Sequence, residues 1–215
     1  MEERKAISLK KEEFSIKEYI RNFLGKGKVS KVRIEYTPVG EKVIISTNKP
    51  GMVIGRKGEK IEKISEGLKK GFKLENLHVE IDEIISPEFD AQLMADEIAI
   101  ALERFGPLKF KVIAYKNLRR IIDAGALGVE IRLNGKLPGK RAKKWRFAQG
   151  YLKKTGDSAK IVDRAKARAE TKPGTVGIKV AILSPNVQIK DKIEVNDELI
   201  NRLKEGKIRK WKEMR

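Results

Sequence analysis

The chain has 215 residues and no cysteine. That excludes disulfides, thiolate zinc sites and cysteine nucleophiles, and it fits a reducing compartment. Histidine occurs once, at His78, so a two-histidine metal site cannot form. No run of about 18 apolar residues exists from which a membrane-spanning helix could be made. The opening Met1-Glu2-Glu3-Arg4-Lys5 lacks the apolar stretch of a secretory signal. There is no Gly-x-x-x-x-Gly-Lys-[Ser/Thr] phosphate loop, so nucleotide hydrolysis is not expected. Acidic charge is also short: 30 Asp and Glu stand against 49 Lys and Arg, a formal net charge of +19. Such a chain attracts polyanions, nucleic acid first and an anionic membrane second.

The charge is uneven. From Lys136 to Lys172 there are 13 basic residues and three acids. From Glu75 to Glu103 there are nine acids and no Lys or Arg. The basic segment reads as a polyanion-binding face. The acidic segment cannot face the same polyanion; it is expected to face water or a basic protein neighbour, water being the safer reading.

Residues 53–58 read Val53-Ile54-Gly55-Arg56-Lys57-Gly58. This Gly-x-x-Gly loop has a cation at both central positions. Bare glycine backbone lets a phosphate approach closely, and loops of this kind clamp RNA backbone in KH domains. An amphipathic helix is predicted from about Lys10 to Leu24, carrying Phe14, Ile16, Tyr19, Ile20, Phe23 and Leu24. Val32, Ile34 and Tyr36 alternate as a strand does. A turn at Pro38-Val39-Gly40 follows, then a strand at Val43-Ile44-Ile45. A short helix leads into the loop. A second runs from Glu59 to about Lys70, and Leu77, Val79 and Ile81 make a third strand. The order is that of a type II KH domain. It sets the helix N-terminus, Lys60 and Lys63 beside the loop as one anion site.

Ser86-Pro87-Glu88 predicts a helix start, with Ser86 as the cap, running to about Arg104. Another helix is predicted from Phe110 to Asp123. Val129, Ile131 and Leu133 alternate, as do Val176, Ile178, Val180 and Ile182, so both segments read as strands. Residues 159–169 fit helix or strand, and strand is preferred because two strands need partners. Asn196 caps a last predicted helix. Trp145 is expected to pack under a loop. Trp211 is a candidate docking residue, and His78 a structural one.

The resemblance lies in the loop together with several later segments. These are Gly125-Ala126-Leu127-Gly128-Val129-Glu130-Ile131, Gly135-Lys136-Leu137-Pro138-Gly139, the run Lys140-Arg141-Ala142-Lys143-Lys144-Trp145-Arg146, and Gly177-Ile178-Lys179-Val180. Over about residues 10–185 the chain resembles the ribosomal protein S-three family, in its archaeal form. That resemblance implies an α+β fold: a type II KH domain over 1–86, then a second α/β domain over 87–190. The second domain is expected as a sandwich-type mixed sheet packed on helices, with a bridging helix near 87–104. A basic extension over 191–215 completes the chain. It also implies a non-enzymatic, cytoplasmic constituent of the small ribosomal subunit with no cofactor. The implied partners are small-subunit rRNA, mRNA in its entrance channel and neighbouring head proteins, with no membrane and no homo-oligomer. The RNA-binding residues so implied are Gly55, Arg56, Lys57, Gly58, Lys60 and Lys63 in the first domain. In the second they are Lys136, Lys140, Arg141, Lys143, Lys144 and Arg146. Where bacterial members carry Ala-Arg, Ala142-Lys143 keeps the charge but loses the bidentate fork.

Two other readings stay open on sequence alone. One is a free-standing KH-type regulator of RNA. The other is a DNA-lesion-acting protein using a lysine Schiff base, although no apolar pocket pattern marks such a lysine.

Overall fold

The structure, a computed structural model, describes residues 2–37, 40–72 and 76–187. The first unit is built from α1 (Glu2–Leu24), β1 (Val32–Thr37), β2 (Gly40–Thr47), α2 (Pro50–Ile54), α3 (Glu59–Phe72) and β3 (Leu77–Glu83). The strand order is β1-β2-β3. β1 runs antiparallel to β2 with Val32 opposite Ile45, and β3 runs parallel to β2 with Val79 opposite Val43. A parallel neighbour needs a crossover, and α2, the glycine loop and α3 provide it. Ile16, Ile20, Ile45, Ile64 and Leu68 are fully buried between the helices and the sheet. Each such side chain stabilises by roughly 1.5–3 kcal/mol.

The second unit contains α4 (Ala91–Phe105), α5 (Phe110–Asp123), β4 (Gly128–Gly135), β5 (Lys143–Gly150), β6 (Asp163–Thr171) and β7 (Gly174–Leu183). Its strand order is β5-β4-β7-β6. α4 packs on β6 and β7, and α5 on β4 and β5. Ile98, Leu102, Ile121, Ile131, Leu133 and Ile178 are fully buried there.

Several expectations need correction. The second sheet is antiparallel throughout, not mixed. Short returns such as Thr171 to Gly174 reverse the chain and leave no room for a crossover. The run 143–150, read as a basic stretch, is an edge strand. α1 begins at Glu2 rather than near Lys10. Phe14 is 66 % exposed and Phe23 lies outside the core, so the buried stripe is Ile16, Ile20 and Leu24. Ser86 is not the cap of α4: Pro87–Phe89 is a separate 3₁₀ turn. Asp90 is the cap, its carboxylate accepting from the backbone N–H of Gln92 and Leu93.

The acidic segment is solvated only in part: Glu80, Asp82, Glu83, Glu97 and Glu103 are exposed, but Asp90 and Asp96 are buried. Asp90 accepts from the Ser30 hydroxyl, and Asp96 accepts from the Gly27 N–H at 3.0 Å. Glu103 pairs with Lys26 at 2.7 Å, while Glu88 and Glu97 share Arg120. Asp90, Asp96 and Glu103 fasten the segment before β1 to α4 of the second unit, whereas Glu88 and Glu97 hold α5 within that unit. The predicted turn residues Pro38 and Val39, the helix from Asn196, Trp211 and the extension 191–215 lie outside the described residues.

Candidate nucleic-acid interface

At the glycine loop, α2 ends on Gly55, whose backbone turns at φ 76°, ψ −173°. A Cβ there would sit 2.9 Å from Lys60 Cγ, so glycine is required for both conformation and space. Lys57 has φ 51°, the one positive φ outside glycine among the described residues. The turn leaves Arg56 and Lys57 exposed, and neither side chain has a hydrogen bond or ion pair to any described residue. Both stand just before the N-terminus of α3, whose free amides favour an anion.

Lys60 and Lys63 are less available than the sequence suggests. Lys60 Nζ donates to the Met52 carbonyl at 3.1 Å. Lys63 pairs with Glu59, and that hydrogen bond holds the Glu59 carboxyl below its usual range. The free cations of the loop are therefore Arg56 and Lys57.

In the second unit, the β4–β5 loop is pinned by buried Leu137. Lys136, Lys140 and Arg141 stand out from it, exposed. Along β5 the pleat then sends alternate residues to opposite faces. Trp145 and Phe147 turn toward the helices. The Trp145 ring lies 5.2 Å from that of Phe110, with Lys111 Nζ 5.1 Å from its centroid. Lys143 shares the register parity of Trp145, whereas Lys144 and Arg146 lie on the helix-free face.

That face holds residues the sequence reading did not collect. Arg132 pairs in register with Arg146 on one side and Lys179 on the other, and Lys179 pairs with Lys166. One cross-strand row is thus Arg146–Arg132–Lys179–Lys166. The adjoining rows add Lys144 and Arg168 on one side and Arg164 on the other. The available signal was the period-two cations of Arg164, Lys166 and Arg168, alternating with Ala165, Ala167 and Ala169.

Glu130 is the carboxylate at the centre, and its side chain is 3 % exposed. It accepts from Arg132 Nε at 2.8 Å and from Arg146 Nε, with Lys154 Nζ at 3.5 Å. Burial would push its pKa up. The two arginine hydrogen bonds and their charges outweigh burial and hold it at about 2. Beside it a cleft of about 330 Å³ is lined by Arg132, Lys154, Arg164, Lys166 and Lys179. No cluster of three metal-ligating side chains occurs among the described residues, and no described helix is long and apolar enough to cross a membrane.

Comparison with known proteins agrees with both halves. A KH-domain family model matches residues 15–89, and a model of the ribosomal protein S3 C-terminal domain matches residues 98–182. The chain is 39 % identical over 184 residues to the small ribosomal subunit protein uS3 of Methanocaldococcus jannaschii, covering 85 % of this chain and 88 % of that one. It is 40 % identical over 183 residues to uS3 of Methanosphaera stadtmanae, covering 85 % and 72 %. Against uS3 of Halobacterium salinarum it is 36 % identical over 184 residues, covering 85 % and 60 %.

Proposed function

This chain belongs to the ribosomal protein S3 family, and from that premise we propose that it binds small-subunit rRNA in the head of the particle and meets incoming mRNA. The role is structural rather than enzymatic, as the family implies. The Gly55–Gly58 loop binds RNA backbone through Arg56 and Lys57. The β4–β5 loop supplies Lys136, Lys140 and Arg141, continued by Lys143 and Lys144 on β5, to the channel by which mRNA enters. Neighbouring head proteins complete its surroundings on the ribosome.

The observation that carries the mRNA reading is the state of those five cations. All are exposed, and none has a partner among the described residues. Their positive field is therefore available to an anion instead of being spent internally. Phosphate contact gives affinity without sequence preference, as a channel for every message requires.

The test uses small subunits assembled with wild-type chain or with the variant Lys140→Ala/Arg141→Ala/Lys144→Ala. Translation is compared for messages with and without a hairpin ahead of the ribosome. We expect the hairpin message to lose several-fold more than the unstructured one. Equal output from both would refute the mRNA role. Sucrose gradients of native lysate test the placement: one copy per small subunit is expected, and confinement to light fractions would favour a free RNA regulator.

A further inference from the structure

We propose that the helix-free face of the second sheet is a further RNA-backbone site, separate from the glycine loop and adjoining the β4–β5 set only at Lys144. The cross-strand row Arg146–Arg132–Lys179–Lys166 takes the phosphates. The proposal rests on the reading that this family member binds RNA, and it names a surface which that reading does not need.

Like charges directly opposite one another on a sheet are destabilising. Here Arg132 faces both Arg146 and Lys179, and Lys179 also faces Lys166. Seven cations from four strands share this face: Lys144, Arg146, Arg132, Lys179, Arg164, Lys166 and Arg168. The paired strand residues bring only two carboxylates to the same face, Glu130 and Glu170. A sheet that keeps such a row loses stability as a free chain and regains it when an anion covers the row.

Glu130 does not neutralise the row; it orders part of it. Arg132 and Arg146 each give it an Nε–H. Each guanidinium keeps its two terminal amino groups for another acceptor, the side that forks onto phosphate. Lys166 and Lys179 have no ion pair among the described residues. Four adjacent strands span about 14 Å at their usual spacing, enough for several phosphates of one RNA strand. None of the paired positions on this face carries an aromatic side chain, so base stacking is not its mode. Charge complementarity therefore selects the sugar-phosphate backbone, read without sequence.

The experiment measures affinity of the full chain for a 20-base-pair RNA duplex of arbitrary sequence across a KCl series. Three proteins are compared: wild type, Lys166→Gln/Lys179→Gln, and Arg56→Gln/Lys57→Gln. Each lost phosphate contact lowers the salt slope by roughly 0.9. The sheet variant is expected to lower it by about 1.8 and to weaken low-salt binding about tenfold, also when added to the loop variant. If the loop variant weakens binding and the sheet variant leaves slope and affinity unchanged, this inference fails and the RNA-binding reading stands. A shallow slope for wild type, with neither variant altering it, sinks both. Amine-directed crosslinking in intact small subunits supplies a readout on wild-type chain. Attachment of Lys166 or Lys179 to RNA supports the site. Attachment of both only to an acidic protein segment overturns it.

Discussion

Trp145 and Arg146 are adjacent in the chain and serve opposite faces of one edge strand. The Trp145 ring packs 5.2 Å from Phe110 on the helix side. Arg146 donates to the buried carboxylate of Glu130 on the other. A basic run that reads as one patch is therefore two surfaces separated by the thickness of a sheet. Its members differ in what they hold together.

The difference predicts unequal costs within the run. Lys144 is exposed and unpaired among the described residues, so Lys144→Ala should change stability by less than about 0.5 kcal/mol. Arg146→Ala deprives Glu130 of one of its two arginine donors and should cost about 1–2 kcal/mol. Urea unfolding of the two variants checks this. Equal midpoints would mean that the Glu130 contact to Arg146 adds nothing in solution.

Gly55 is the sharpest backbone requirement at the RNA loop. Alanine there meets both an unfavourable positive φ and Lys60 at 2.9 Å. Gly55→Ala should cost about 1–3 kcal/mol and weaken RNA binding by the loop. Gly51→Ala is the control: a Cβ there meets nothing within 4 Å. Thermal unfolding of both, with the RNA duplex titration, separates strain from a general loss of glycine.

The first unit was legible because its buried residues follow clean periods. Val32 and Ile34 on β1, and Ile61, Ile64 and Leu68 on α3, announce strand and helix. The glycine loop falls between two helices as its order requires. β5 was not legible, since Trp145 and Phe147 are the only large apolar side chains among its eight residues. A one-sided edge strand looks like a charged loop in sequence. Pairing was not legible either: Arg132, Arg146, Lys166 and Lys179 are separated by 13 to 47 positions and meet only through register. Glu88, Asp90, Asp96, Glu97 and Glu103 misled because their partners, Gly27, Lys26, Ser30 and Arg120, lie elsewhere in the chain.

Asp90 caps α4 and also receives the Ser30 hydroxyl across the junction. Asp90→Ala should therefore lose about 1 kcal/mol of cap and a further 1–3 kcal/mol from the unsatisfied buried hydroxyl. Ser86→Ala, at the position that resembles a cap in sequence, should stay within about 0.5 kcal/mol because Ser86 makes no side-chain cap bond. Reversed costs in urea unfolding would move the start of the helix. A Ser30→Ala/Asp90→Ala cycle isolates the junction from the cap.

Glu130 gives the protein a defined response to acid. Its pKa is held at about 2, below the ordinary value of 4.5. The folded state therefore resists its protonation, and the unfolded state does not. Its stabilisation is complete above the unfolded pKa and is lost as pH falls from about 4.5 toward 2. A displacement of that size corresponds to about 3 kcal/mol. Asp96 acts in the opposite sense. Burial raises its pKa despite the bond from Gly27, so its charged form costs stability as pH rises through the ordinary Asp range. Glu130→Gln removes the first effect and keeps the second. The stability gap between wild type and Glu130→Gln should then shrink by about 3 kcal/mol between pH 6 and pH 2. Urea midpoints at pH 6, 4.5, 3 and 2 measure it. A gap that stays constant would mean that Arg132 and Arg146 do not hold a charged Glu130 in solution, and the ordered arginine edge offered to phosphate would lose its anchor.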